Sequence, residues 1–215
     1  MPIWMHWRPS CPDRVPGARF HLQPSSPILG FMTDSNGSHQ QSAQTLLRIK
    51  AFFFDYLTIL GYLVALAVVG SLLTLGPLGN DWSELASPWR KDLLAFLTTV
   101  LPVVAYFAWN EGSAAGATWG KRRVGLRVVA LDGQPLGRNR ALLRSVIKFT
   151  PWQMAHTALS NIPGFPMATG DPPNWTVWLL GGMWVVVALY LVGLTRLTGG
   201  RTVYDRLSGS RVIAK

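Results

Sequence analysis

The sequence predicts an all-α membrane protein, a four-helix transmembrane bundle whose third helix is short or interfacial, with a small cytoplasmic β-hairpin or sheet. Near-continuous apolar runs lie at Ala51–Leu75, Leu93–Trp109 and Trp175–Thr195. A helix needs about 17–25 mostly apolar residues to cross the hydrocarbon core, and the only charge in these runs is Asp55. The basic residues are also one-sided. Gly76–Asp92 is nearly neutral, with Asp81, Glu84 and Asp92 against Arg90 and Lys91. Glu111–Lys148 carries Lys121, Arg122, Arg123, Arg127, Arg138, Arg140, Arg144 and Lys148, and the segment after the third run adds Arg196, Arg201, Arg206, Arg211 and Lys215. The positive-inside rule places both of these basic regions, and the C-terminus, on the cytoplasmic face.

Met1 to Gln44 is rich in Pro, Ser, Gly and Gln without an apolar period, so it is expected to be a disordered, dispensable tail. No apolar core follows its arginines, and it does not read as a signal peptide. Met32 is the expected true start, with Met1–Phe31 an upstream misreading of the frame; intact mass of the native protein decides this. The membrane domain then covers 45–215. Its first run ends at Gly76-Pro77, a helix stop. The second carries Pro102 near its middle, which predicts a kink whose freed carbonyl a neighbouring helix re-satisfies.

Val124–Ala130 is short and β-branched, Asp132-Gly133 is a hairpin turn, and Gln134–Leu136 is a candidate returning strand. A second pairing is expected between Leu126–Ala130 and Arg211–Ala214. Asn139–Ser160 starts as a basic amphipathic stretch and continues as the less charged Phe149–Ser160, broken by Pro151. With Glu111–Lys148 and the C-terminus both inside, an even number of crossings separates them. The third run is one, so the chain over 149–163 crosses or re-enters deeply. Trp82, Trp89, Trp175 and Trp178 suit the outer interfacial belt, and Gly61, Gly70, Gly181 and Gly182 are expected to let helices approach closely.

The net charge of +10 over 215 residues follows from this asymmetry and gives no warrant for nucleic-acid binding. The expected partners are the bilayer, anionic headgroups at the basic face, and a second copy or another membrane protein. Cys11 is the single cysteine, which excludes intramolecular disulfides. Gly116–Lys121 fails as a phosphate loop, because Ala115 takes the first glycine position and Arg122 the magnesium-binding hydroxyl. His156 has no ligand-type neighbour at metal spacing. No catalytic constellation, metal set or cofactor motif is read from the chain, and it is not expected to be an enzyme.

Asp55 is the sharpest single signal, since a carboxylate costs about 2.5–3.5 kcal/mol at the centre of a membrane helix. Arg48 lies two turns earlier on nearly the same face, about 10 Å away along the axis. Direct pairing stretches even an arginine, so Arg144 or Lys148 is the expected bridge. Two readings stand: an ion pair that fastens the first helix to the cytoplasmic segment, or a cation or proton site where Asp55 alternates between ionised and neutral. Asp205 is expected to cap a short helix or pair with an arginine, and Glu111 to pair with Lys121 or Arg122.

Arg48-x-x-Ala51-x-x-x-Asp55 at the opening of the first span resembles the signature of the RDD family of bacterial membrane proteins. Thr118-Trp-Gly120-Lys121-Arg-x-x-Gly125-x-x-Val128-Val129 with Asp132-Gly133, Leu142-Leu143-Arg144, and Tyr204-Asp205-Arg206-Leu207-Ser208-Gly209 follow in the order of that family. The resemblance covers Leu46 to Lys215 and assigns the eponymous Arg and two Asp to Arg48, Asp55 and Asp205. It departs at Trp119, where members often carry a small residue. It implies a multi-pass protein of the bacterial cytoplasmic membrane with both termini inside, with cation/proton antiport suggested for some members. The residues favour a non-catalytic membrane scaffold or assembly protein; the alternative is a small-cation or proton transporter using Asp55.

Overall fold

A computed structural model describes residues 29–76, 87–165, 170–195 and 199–215, with side chains from residue 45 onward. Helix α1 (Leu29–Leu75) is followed by α2 (Pro88–Ala95), which runs through a π-helical turn at Phe96–Val100 into α3 (Leu101–Glu111). The short α4 (Trp119–Arg123) and strand β1 (Leu126–Ala130) come next, then α5 (Arg138–Ser160), α6 (Asn174–Val192), α7 (Val203–Leu207) and strand β2 (Ser210–Ala214).

Thr45–Leu75, Pro88–Glu111 and Asn174–Val192 are long and apolar enough to cross a membrane. Their apolar side chains point outward: Leu72 is 63% exposed, Trp178 80% and Trp184 66%. Water does not tolerate so much contiguous apolar surface on a monomer, whereas lipid does. Trp89 and Trp175 are exposed too, and Trp82 lies outside the described residues.

Several expectations need correction. Helix α1 begins at Leu29, so the chain over 29–44 is helical where no regular structure was expected; residues 1–28 lie outside the described residues. Of the third long helix, expected to be short or interfacial, the shortness is corrected, since α5 has 23 residues. It runs antiparallel to the α2–α3 rod along its length. Arg144 near its start binds Glu111 at the end of α3, while Thr157 near its end donates to Asp92 in α2. Its basic first half keeps it from being as apolar as the other three. A Cβ added at Gly61, Gly70 or Gly181 meets nothing within 4 Å, and at Gly182 only an ordinary contact, so these glycines do not seat one helix of this chain on another.

Both prolines inside long helices have their freed carbonyl served by a tyrosine. Proline has no N–H for the carbonyl four residues back. The Thr98 carbonyl, four before Pro102, accepts the Tyr62 hydroxyl at 2.6 Å. The Ile147 carbonyl, four before Pro151, accepts the Tyr190 hydroxyl. The π-helical turn sits directly before Pro102, where a widened turn relieves the ring's clash.

The two strands pair antiparallel in the register Leu126↔Ala214, Val128↔Val212 and Ala130↔Ser210. Gln134–Leu136 does not form the expected second strand. It contributes one bridge, Val129↔Pro135, and the Gln134 carbonyl accepts the Ala130 N–H at 2.9 Å. The pleat explains the preference, because β2 brings buried Val212 against Val128, Leu136 and Ala51 in one apolar cluster. A second cluster joins Ile59, Val100, Val103, Val104, Phe107 and Phe149 from α1, the π-helical turn, α3 and α5.

Candidate functional site

At the junction of the long helices with the strands and short helices, Asp55, Glu111, Lys121, Arg144 and Asp205 are all buried. Such groups sit away from water only when their partners are fixed. Arg144 on α5 is the hub. Its Nε and Nη2 donate to Asp205 Oδ1 at 3.1 and 2.7 Å, its Nε also donates to Ser210 Oγ at 3.2 Å, and its Nη1 donates to Glu111 Oε2. Lys121 Nζ takes the other Glu111 oxygen. One guanidinium thereby ties α5 to α3, α7 and β2, using the fork geometry that lysine lacks.

Asp205 is held by its local sequence as well. Thr202 and Asp205 form a capping box at the start of α7, in which the Asp205 N–H donates to Thr202 Oγ1 at 3.4 Å and the Thr202 N–H to Asp205 Oδ2 at 3.2 Å. Arg48 Nη1 approaches Asp205 Oδ2 at 3.5 Å, and its guanidinium also donates to the Gly200 and Val212 carbonyls at 2.5 and 3.4 Å. Burial by itself raises the Asp205 carboxyl, but Arg144 (by charge and hydrogen bond), Arg48 and Thr202 together hold it below the ordinary carboxylate value. Burial pushes the neighbouring Tyr204 hydroxyl up.

Asp55 has a different shell. Its Oδ2 accepts the Thr118 hydroxyl at 2.6 Å and its Oδ1 accepts the Gly120 backbone N–H at 2.8 Å. Thr118 is also the N-cap of α4, its oxygen accepting the Lys121 N–H. Gly120 is required by space, since a Cβ there stands 2.3 Å from the Ala51 carbonyl oxygen and 2.8 Å from Asp55 Cγ. Asp55 thus receives the opening turn of α4 much as an anion is received by free backbone donors.

The expected bridge between Arg48 and Asp55 is therefore corrected. The two share a helix face but serve different partners, Arg48 the Asp205 side and Asp55 the α4 turn. Arg144 pairs with Glu111 and Asp205 instead of Asp55. Lys148 makes no salt bridge among the described residues; its Nζ lies 3.6 Å from the centre of the Phe107 ring. Glu111 does pair with Lys121, while Arg122 turns to Asn110 Oδ1 at 3.5 Å. Trp119 is carried outward, edge-on to Phe54 at 5.8 Å and under Arg123 at 4.8 Å, so its bulk leaves the turn undisturbed.

Residue-by-residue reading missed Thr118, Gly120 and Ser210 as partners. A capping threonine two residues before a glycine was the available signal for the first two. His156 contacts Thr99 Oγ1 at 3.4 Å and stacks on Trp152. Among the described residues no group of three or more His, Cys, Asp or Glu is placed to hold a metal ion.

Outward-facing apolar helices joined at one end by a buried network of Arg, Lys, Asp and Glu define a helical membrane protein. The chain belongs to the RDD family, whose family model matches residues 42–209. Arg48, Asp55 and Asp205 all fall inside the match. No curated relative and no solved structure matches the chain.

Proposed function

We propose that this RDD-family chain is a non-catalytic, multi-pass scaffold or assembly protein of the cytoplasmic membrane, with both termini and the β1–β2 sheet inside. The observation that carries this reading is the occupancy of its buried acids. Both Asp55 oxygens accept fixed donors, Glu111 is taken by Arg144 and Lys121, and Asp205 by Arg144, Arg48 and Thr202. A cation site needs oxygen ligands converging on open space. Here donors converge on the oxygens, and the links join the long helices to one another and to the short helices, loops and strand at this end.

Helix α5 is the fourth crossing in this reading. Its contacts with Glu111 at one end and Asp92 at the other support a path as deep as that of Pro88–Glu111. The exposed Arg122, Arg123, Arg127 and Arg140 then face the cytoplasm, as the positive-inside rule asks.

Cation-driven pH change in proteoliposomes tests the proposal, comparing wild type with Asp55→Asn. The scaffold reading expects no ion-dependent proton flux in either, and lower thermal stability in the variant. Flux in the wild type that disappears in a folded Asp55→Asn protein establishes the alternative, a cation/proton transporter.

A further inference from the structure

A cavity of about 570 Å³ lies between α1, α5 and α6 at the basic end of the spans. Its walls are apolar, made by Phe52, Phe149, Trp152, Val187, Leu191 and Leu194, and Arg48 and Lys148 are among the charged residues that line it. Phe52 and Leu191 remain 55% and 61% exposed, so the cavity opens on the outer surface of the helices, where lipid lies. It persists because α1 packs chiefly on α4 here, while α5 packs on α3 and α6. Its volume is within the about 300–1,000 Å³ typical of small-molecule sites.

The charges at this end do not balance. Arg48, Lys121, Arg144 and Lys148 face Asp55, Glu111 and Asp205. The acids are each bonded to Arg48, Lys121, Arg144 or the α4 turn, which leaves the Lys148 ammonium without a salt bridge among the described residues, its Nζ over the rings of Phe107 at 3.6 Å and Phe149 at 5.2 Å. An aromatic face returns far less than the hydration an ammonium gives up. One cation without a salt bridge in the lining of an otherwise apolar, lipid-side cavity has the pattern of an amphiphile's two ends.

We propose that the cavity binds one anionic phospholipid of the inner leaflet, its phosphate on Lys148 and the edge of Arg48 and the upper part of an acyl chain between α1 and α6. A lipid, and not a helix of another protein, is the occupant. The cavity is too small for a helix, it opens toward the bilayer, and its single unmatched charge is positive. The site does not depend on whether the chain scaffolds or moves ions.

The test uses the full chain reconstituted in vesicles of equal phosphatidylglycerol and phosphatidylcholine, extracted in mild detergent and weighed by native mass spectrometry. Wild type is expected to retain one phosphatidylglycerol in preference to phosphatidylcholine by about tenfold, equivalent to about 1.4 kcal/mol. Lys148→Met abolishes the preference, Lys148→Arg keeps it, and the exposed Arg140→Gln leaves it unchanged. Val187→Phe fills the apolar part and lowers retention of both lipids. Should Lys148→Met fail to fold, wild-type selectivity and Val187→Phe still decide. Equal retention of both lipids by wild type overturns the proposal. So does a preference indifferent to both variants, or complete displacement of the lipid by excess inorganic phosphate, which marks a headgroup-only anion site.

Discussion

The Tyr190 hydroxyl donates to the Ile147 carbonyl, the oxygen that Pro151 leaves without its helical donor. In water such an orphan carbonyl is solvated at once. Beside a membrane it must be served by protein. Tyr62 and Thr98 repeat the device around Pro102, so α6 is latched to α5, and α1 to the α2–α3 rod, through positions where the backbone ladder is broken.

Tyr190→Phe keeps the ring that packs edge-on against Tyr204 at 5.2 Å and removes only the donor. Interhelical hydrogen bonds of this kind are worth about 0.6 kcal/mol on average and up to about 1.7 kcal/mol. We expect destabilisation in that range by thermal or denaturant unfolding in detergent. In a Pro151→Ala background the helix supplies its own N–H, and the Tyr190→Phe penalty should vanish. A penalty of equal size in both backgrounds contradicts the latch.

Arg144→Met removes the shared partner of two buried carboxylates, leaving Glu111 to Lys121 and Asp205 to Arg48 and Thr202. Breaking one buried ion pair costs about 3–5 kcal/mol, so this variant should lose most of its folded fraction in detergent chromatography. Arg144→Lys keeps the charge but not the fork, and should fall between the two. Wild-type stability in Arg144→Met contradicts the hub.

At the α1–α4 contact, Gly120→Ala drives a methyl into the Ala51 carbonyl. Overpacking costs about 1–3 kcal/mol and sometimes more, and rigid backbone on the far side places this case at the upper end. Asp55→Asn is milder, since its carbonyl still accepts from Gly120 and its amide can donate to Thr118 Oγ1. Asp55→Leu leaves both donors unpaired, at about 1–3 kcal/mol each. Melting temperatures should rank wild type, then Asn, then Leu, and an Asn variant as unstable as Leu refutes this geometry.

The depressed Asp205 carboxyl links stability to pH. A group whose folded value lies below its unfolded value of about 3.9 stabilises fully above that value. The contribution is lost as pH falls through the folded value. The stability gap between wild type and Asp205→Asn should therefore be constant from neutral pH to about 5 and shrink below about 4. A gap unchanged down to pH about 3 means the Asp205 carboxyl is not held below its unfolded value in the native protein.

Much of this was legible in local sequence. Three apolar runs announced three spans because burial in lipid is written residue by residue. Leu126–Ala130 and the C-terminal β-prone segment announced their pairing. Asp205 announced both its roles, since a capping box is a matter of four adjacent residues. The length of α5 was hidden, because its four basic residues mask a path fixed by Glu111 and Asp92 on another helix.

By itself, the sequence determined the medium, the number of strongly apolar spans, where along the chain positive charge collects and that the Asp55 carboxylate needed a partner. Each follows from the transfer cost of individual side chains, which depends on residue type and neighbours along the chain. Only the tertiary structure decided how the charges pair. Arg48 reaches Asp205 and not Asp55, Asp55 receives a glycine N–H, and Arg144 joins three elements that lie far apart in sequence. Coulomb energy and hydrogen-bond geometry act over a few ångströms of space, and only folding brings these residues within that reach.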